Sequence, residues 1–175
     1  LTGRIFLLMA YPVEMTDWTT SIPDSLSGST MLAEVKYNPA LASELNFTEM
    51  FGGYMNGSMG EISALALILG GLYLLWRKVI TWHIPVSILL TMALFAMGYA
   101  IGFGGSLIYE LPLFHLLAGG ALLGAIYMAT DYSTSPMTHK GMIIYGVGIG
   151  VITMVIRLWG AYPEGMSFAI FIMNA

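Results

Sequence analysis

The sequence predicts an all-α polytopic integral membrane protein, a multi-span helical bundle with one extended polar extracytoplasmic loop. Three observations predict it. Hydrophobic residues make up 57% of the chain and charged residues 9%, where a soluble domain is about a quarter charged. The mean hydropathy is +0.78. The 6 basic and 10 acidic side chains, a formal net charge of -4, fall almost wholly in short gaps between long apolar runs. One such run would suit the buried core helix of a soluble protein, but four in succession with short connections do not.

Residues 1–11 read as the end of a preceding transmembrane helix, stopped at Pro12. Residues 12–54 change character: rich in Ser, Thr, Asn, Pro and acid, they lack a sustained apolar period. They form the expected loop outside the hydrocarbon, with short helices around Leu41–Met50. Residues 55–175 are the transmembrane region, with spans at about 58–76, 84–105, 111–130 and 141–157 and a fifth, truncated, from 166. The first reaches the length of about 20 residues that a hydrocarbon core requires only by counting the uncharged stretch before Glu61. Arg77 and Lys78 end it, Asp131 closes the third span, and Arg157 closes the fourth. The chain opens at Leu1 beside an apolar stretch and stops inside another, which fits a piece cut from a longer protein.

Glycine is abundant, 21 residues, and often spaced by four: Gly98 and Gly102, Gly120 and Gly124, Gly146 and Gly150. Such pairs let helix backbones approach closely inside a bilayer, and packing is their expected use. The connections give an orientation. Arg77, Lys78 and Lys140 lie on one side of the bundle, while the other carries the 12–54 loop with its acids and the connections at Glu110 and Glu164. The positive-inside rule makes the first side cytoplasmic and puts Thr30 outside the cytoplasm, although Arg157 at the outer end of span four runs against the bias.

Several chemistries drop out. With no cysteine, the chain alone builds neither disulfides nor thiolate-ligated iron–sulfur or zinc sites. The basic residues are too few and scattered for a nucleic-acid surface. His83, His115 and His139 show no metal-ligand spacing, and neither a nucleophile elbow nor a phosphate-binding glycine loop is present. No catalytic or metal-binding residue is expected. His115, inside a span, suits a neutral interhelical hydrogen bond, or a role in proton or quinone handling. Glu61 suits a helix-start carboxylate, or an ion or cofactor site, because charge at membrane depth is costly unless paired or used. Asp131 suits a turn and cap. Arg157 suits a snorkelling end residue, or the partner of an anionic group. The string DSLSGST at 24–30 reads as a polar turn whose hydroxyls are accessible to esterification.

Taken together, the longer strings resemble a known family. They are GRIFLLMAYPVEMT at 3–16, SGST at 27–30 and GSMGEISALALILGGLYLLWRKVITWHIPVS at 57–87, then FHLLAGGALLGAIYMATDYSTSPMTHKG at 114–141 and YGVGIGVITMVIRLWGAYPEGMSFAIFIMN at 145–174. In order and spacing the chain is similar to the flavin-carrying membrane subunits shared by the Rnf electron-transport complex and the sodium-pumping NADH:quinone reductase. WHIPVS and the TSP after Asp131 favour the Rnf branch. The resemblance covers essentially the whole chain and matches the C-terminal half of such a subunit.

The resemblance implies covalent FMN, joined by a phosphoester to Thr30, with Asp24, Ser27, Gly28 and Ser29 forming the preceding motif. Ser29 stands where the family usually has alanine, and puts a second hydroxyl beside the acceptor. It further implies an electron-relay subunit of a translocase, an oxidoreductase complex that couples ferredoxin and NAD electron transfer to Na+ or H+ movement. A second covalent-flavin subunit, iron–sulfur subunits and a flavin transferase would be partners, and the bacterial or archaeal cytoplasmic membrane the location. The piece alone is expected to be inactive. Glu61 and Asp131 are the ion-path candidates. The alternatives are the B subunit of the sodium-pumping NADH:quinone reductase, with the same flavin chemistry, and a flavin-free secondary transporter or structural membrane subunit.

Overall fold

The computed structural model describes residues 2–11, 17–18, 28–29, 31–37, 47–53, 60, 63–103, 112–160, 162 and 164–174. Among them lie α1 (Thr2–Ala10), β1 (Asp17–Trp18), β2 (Gly28–Ser29), α2 (Met31–Tyr37), α3 (Phe47–Gly52), α4 (Ala64–Trp76), α5 (His83–Phe103), α6 (Pro112–Leu117), α7 (Ala121–Leu123), α8 (His139–Trp159) and α9 (Met166–Asn174). A π-helical turn, Gly124–Met128, continues α7.

Helices α5 and α8 form the centre. Both are long and apolar enough to cross a membrane by length and composition, while α4 is a shorter apolar helix. Pro85 sits in the first turn of α5, where a missing backbone N–H costs nothing because that turn has no intrahelical acceptor to offer. Thr138 caps α8, its hydroxyl accepting from the Gly141 N–H at 3.2 Å. Ser63 caps α4 by accepting from the Ala66 N–H at 3.3 Å. Beyond its last turn Lys78 takes a left-handed φ of 56°, a conformation that stops a helix of L-residues.

Along α5, Ile84, Ile88, Met92 and Ala96 recur every four residues and are buried against Tyr145, Ile149 and Met154 of α8. Ala121, Ala125, Met166, Ala169 and Ile170 complete this core. The opposite face of α5 is equally apolar and exposed, at Leu90, Leu94 and Ile101. A helix apolar all round suits lipid on one side and protein on the other. Gly146 and Gly150 make the close approach possible: a Cβ on Gly150 would lie 2.8 Å from the Thr91 Cβ and 3.1 Å from the Ile88 carbonyl oxygen. The hydroxyls they face are already satisfied, Ser87 donating to the Ile84 carbonyl at 2.9 Å and Thr91 to that of Ser87 at 2.7 Å. Gly98 and Gly102 behave differently. Added Cβ atoms there would meet nothing within 4 Å, so that pair packs against no described residue.

The principal departure from expectation concerns residues 111–130. They read as one span, yet the helix runs only from Pro112 to Leu117 before Gly119 and Gly120 adopt left-handed φ values of 64° and 63°. The chain re-enters helix at Ala121 and widens into the π turn. Tyr127 in that turn donates to the Leu67 carbonyl of α4 at 3.0 Å, which ties the second half of the broken span to the first one. A second departure lies in the polar loop, where Met31–Tyr37 is helical without an obvious apolar period. Of the short helices expected around Leu41–Met50, one is described at Phe47–Gly52, and residues 41–46 lie outside the described residues.

Candidate functional site

The described part of the 12–54 loop is anchored rather than free. β1 and β2 pair antiparallel, Asp17 opposite Ser29 and Trp18 opposite Gly28. Helix α2 begins at Met31, two residues after Ser29. Its Leu32 and Val35 are buried with Met50 of α3 against Phe114 and Ala118, beside the helix break. Lys36 donates to the Gly160 carbonyl at 2.6 Å and to that of Tyr162 at 3.4 Å, fastening α2 to the end of α8. Burial holds the Lys36 ammonium below the usual lysine range.

At the break, Arg157 is completely buried. Its Nη1 donates to the His115 carbonyl at 2.5 Å, and its Nη2 to those of Ala118 and Gly119 at 3.0 and 2.9 Å. These are carbonyls that a helix end leaves without intrahelical donors, and a planar guanidinium reaches several of them at once. Arg157 therefore does not snorkel. The break in the neighbouring helix supplies its acceptors, two residues before α8 ends at Trp159. His115 is also buried, with its ring edge-on to Phe114 at 5.7 Å, and meets Arg157 through its backbone.

Gly119 has no room for a side chain. A Cβ would fall 2.5 Å from Leu32 Cδ2 and 2.9 Å from Arg157 Nη2, at a φ that L-residues rarely adopt. Gly119→Ala is expected to destabilise the full-length subunit by about 1–3 kcal/mol, measured by denaturant titration in detergent. A wild-type midpoint would refute the tight Leu32–Gly119–Arg157 contact.

Gly119 also borders a cavity of ≈ 10 Å³, lined by Gly119, Gly120, Leu123, Glu164, Met166 and Ser167 among others. The charge pattern places Glu164 at an external connection. In the structure Glu164 is half-buried, Gly165 and Met166 after it are buried, and Met166 packs on Gly124. A sequence signal did exist, a lone carboxylate in YPEG between two apolar runs, but nothing local showed what it would face.

At the opposite end of the bundle, Trp82, His83 and His139 stack, with ring centroids 4.2 and 4.6 Å apart. Beside them a cavity of ≈ 330 Å³ is lined by Ile80, Thr81, Thr130, Tyr132, Ser135 and Met142 among others. Asp131 is exposed here. It accepts from the Ser133 hydroxyl at 2.8 Å, and its carbonyl accepts from the Ser135 N–H at 3.1 Å, the geometry of a turn. The structure does not bring Asp131 to the Gly119 break. Gly28 and Ser29 are in β2; Asp24, Ser27, Thr30 and Glu61 lie outside the described residues. No three His, Asp or Glu side chains among the described residues come together as a metal-binding group.

Long apolar helices, one span interrupted by left-handed glycines and a buried arginine satisfied on its carbonyls define a polytopic helical membrane protein with a discontinuous helix. Comparison with known proteins narrows that class. The model of the NQR2, RnfD, RnfE family matches residues 1–175, and the chain belongs to that family. It is 47% identical over 179 residues to the D subunit of the Na(+)-translocating ferredoxin:NAD(+) oxidoreductase complex of Acetobacterium woodii, covering 99% of this chain and 52% of that protein. It is 41% identical over 183 residues to the D subunit of the proton-translocating ferredoxin:NAD(+) oxidoreductase complex of Clostridium ljungdahlii, covering 99% and 55%. With the D subunit of the ion-translocating oxidoreductase complex of Ectopseudomonas mendocina it shares 37% over 193 residues, covering 99% and 56%. The chain spans about half the length of these curated relatives.

Proposed function

We propose that this chain is part of a flavin-carrying membrane subunit that relays electrons in a multisubunit complex. That complex couples electron transfer between ferredoxin and NAD to translocation of Na+ or H+. Family membership and the named activities of the relatives support the complex and its coupling. The observation that supports the flavin reading is the setting of the described residues around SGST. Its Gly28 and Ser29 are held in a strand pair, and the helix that follows Thr30 is locked by Leu32 and Lys36 onto the break in the third span.

Thr30 is the assigned acceptor, through a phosphoester to FMN. A secondary hydroxyl can take such a bond. When bound, the isoalloxazine supplies the electron-accepting and electron-donating chemistry, while the chain supplies position and electrostatics. A covalent tether prevents loss to solvent. The orientation that follows from the charge bias places this loop outside the cytoplasm, where a flavin transferase would act. The other subunits would supply the donor and acceptor centres.

The experiment is an intact mass of the denatured full-length subunit, co-expressed with its flavin transferase, beside Thr30→Ala and Ser29→Ala. An FMN adduct lost only in Thr30→Ala is the expected result. Loss only in Ser29→Ala would move the acceptor by one residue and keep the relay. No adduct in any version, with the transferase active on another target, would leave a flavin-free transporter or structural subunit.

A further inference from the structure

We infer that the cavity at the end of the bundle where α5 and α8 begin is a binding site for one anionic phospholipid, its headgroup phosphate at the polar rim and its acyl chains on the apolar surface alongside. The inference needs the chain to lie in a bilayer and is independent of the flavin assignment. Its first support is size. At ≈ 330 Å³ the cavity reaches the volume of a ligand cleft, which begins at about 300 Å³. Its second is the division of the lining. Ile80, Ile84 and Met142 give an apolar wall, while Thr81, Tyr132 and Ser135 bring hydroxyls. Those of Tyr132 and Ser135 have no hydrogen-bond partner among the described residues. The Thr81 hydroxyl donates to the Met142 sulfur at 3.4 Å, a weak acceptor that a phosphate oxygen would replace.

The third support is charge. Lys78 immediately precedes the lining segment that starts at Val79, and Lys140 lies two residues before Met142. With Arg77 they are exposed, and none of the three forms an ion pair with a described residue. Asp131 is the one acid in these two connections, and it accepts from the Ser133 hydroxyl. Three cations against one carboxylate leave the rim positive. Helices α5 and α8 both start here, so their amide dipoles add to the same field. Basic pockets of this kind at the ends of spans take phospholipid headgroups. The aromatic residues favour a lipid over a protein. Trp76, Trp82 and Tyr132 are 79%, 57% and 90% exposed beside the cations. Exposed Trp and Tyr among Lys and Arg is the composition of a headgroup layer, whereas protein interfaces are depleted in lysine. The stack of Trp82, His83 and His139 ties the two helix starts together, so the cavity is formed before anything enters it.

Native mass spectrometry of the purified, delipidated complex tests the site by counting the lipids retained on titration with phosphatidylglycerol or with phosphatidylcholine of the same chains. Three versions are compared: the wild type, the double variant Lys78→Asn/Lys140→Gln, and Ser135→Leu. Asparagine tolerates the left-handed φ of 56° at position 78. The double variant changes only exposed side chains, and Ser135→Leu fills the cavity without changing charge. The wild type is expected to retain one phosphatidylglycerol beyond its phosphatidylcholine count. Both variants should hold that lipid about tenfold or more weakly. Unchanged retention in either variant would overturn the inference: in Ser135→Leu it would mean a charged surface with no cavity site. Equal retention of the two lipids by the wild type would also overturn it, and would leave the cavity to a protein segment. Release of the bound lipid by inorganic phosphate alone would make this a site for free phosphate, and so overturn the lipid. If Ser135→Leu does not assemble, Thr81→Val takes its place, removing a lining hydroxyl at nearly constant volume. Its expected loss is about fivefold, and wild-type retention in it would overturn the site.

Discussion

Arg157→Met is expected to destabilise the full-length subunit by about 3–5 kcal/mol, the largest single effect in this part of the chain. The substitution keeps much of the apolar volume but removes the donors that satisfy the carbonyls of His115, Ala118 and Gly119. Those oxygens face a side chain that is itself completely buried, where water does not readily replace the lost bonds. The loss spreads beyond them, because Leu32 packs on Gly119 and carries α2 with it. Arg157→Lys should recover less than half of the deficit, since one ammonium cannot reproduce the fork of the guanidinium. Denaturant titration in detergent, followed by circular dichroism, measures both. A methionine variant as stable as the wild type would show that the break holds without its arginine.

Gly146→Val and Gly150→Val should each cost about 2–3 kcal/mol, whereas Gly98→Ala and Gly102→Ala should be neutral or slightly stabilising. All four glycines have the same spacing and sit in long apolar helices. Among the described residues, only the first two face a neighbour. At Gly146 the obstructing atoms include the Ile84 carbonyl oxygen at 3.2 Å, and at Gly150 the Ile88 carbonyl oxygen at 3.1 Å. Backbone of α5 cannot rotate aside as a side chain can, so α5 and α8 would have to separate. At Gly98 and Gly102 an added methyl meets open space and gains helix propensity. Thermal midpoints of the four variants of the isolated full-length subunit would settle the comparison; equal losses at both pairs would contradict the packing.

Much of the fold was legible because its physics is local. The charge-free run of α5, the apolar run of α8 between Lys140 and Arg157, and the Arg77–Lys78 stop each depend on neighbours within a few residues. Helix α2 was not legible. Its apolar positions, Leu32 and Val35, are too few to show a period, and they become informative only once Phe114 and Ala118 are beside them. The break at Gly119–Gly120 was hidden for a related reason: two glycines inside an apolar run are equally compatible with a tightly packed continuous helix. Arg157 looked like a span-end residue because a side chain's destination depends on what lies opposite it.

The sequence by itself determined that the chain is a helical membrane protein, where its longest helices run, and which family it belongs to, since composition, run length and ordered motifs are properties of the string. Tertiary structure alone decided that the third span is broken, that Arg157 turns inward to cap the break, and that Glu164 lines a cavity beside Gly119. These are contacts between residues about 40 positions apart along the chain. A buried charge survives only where distant backbone can solvate it, and no local pattern of residues records that meeting.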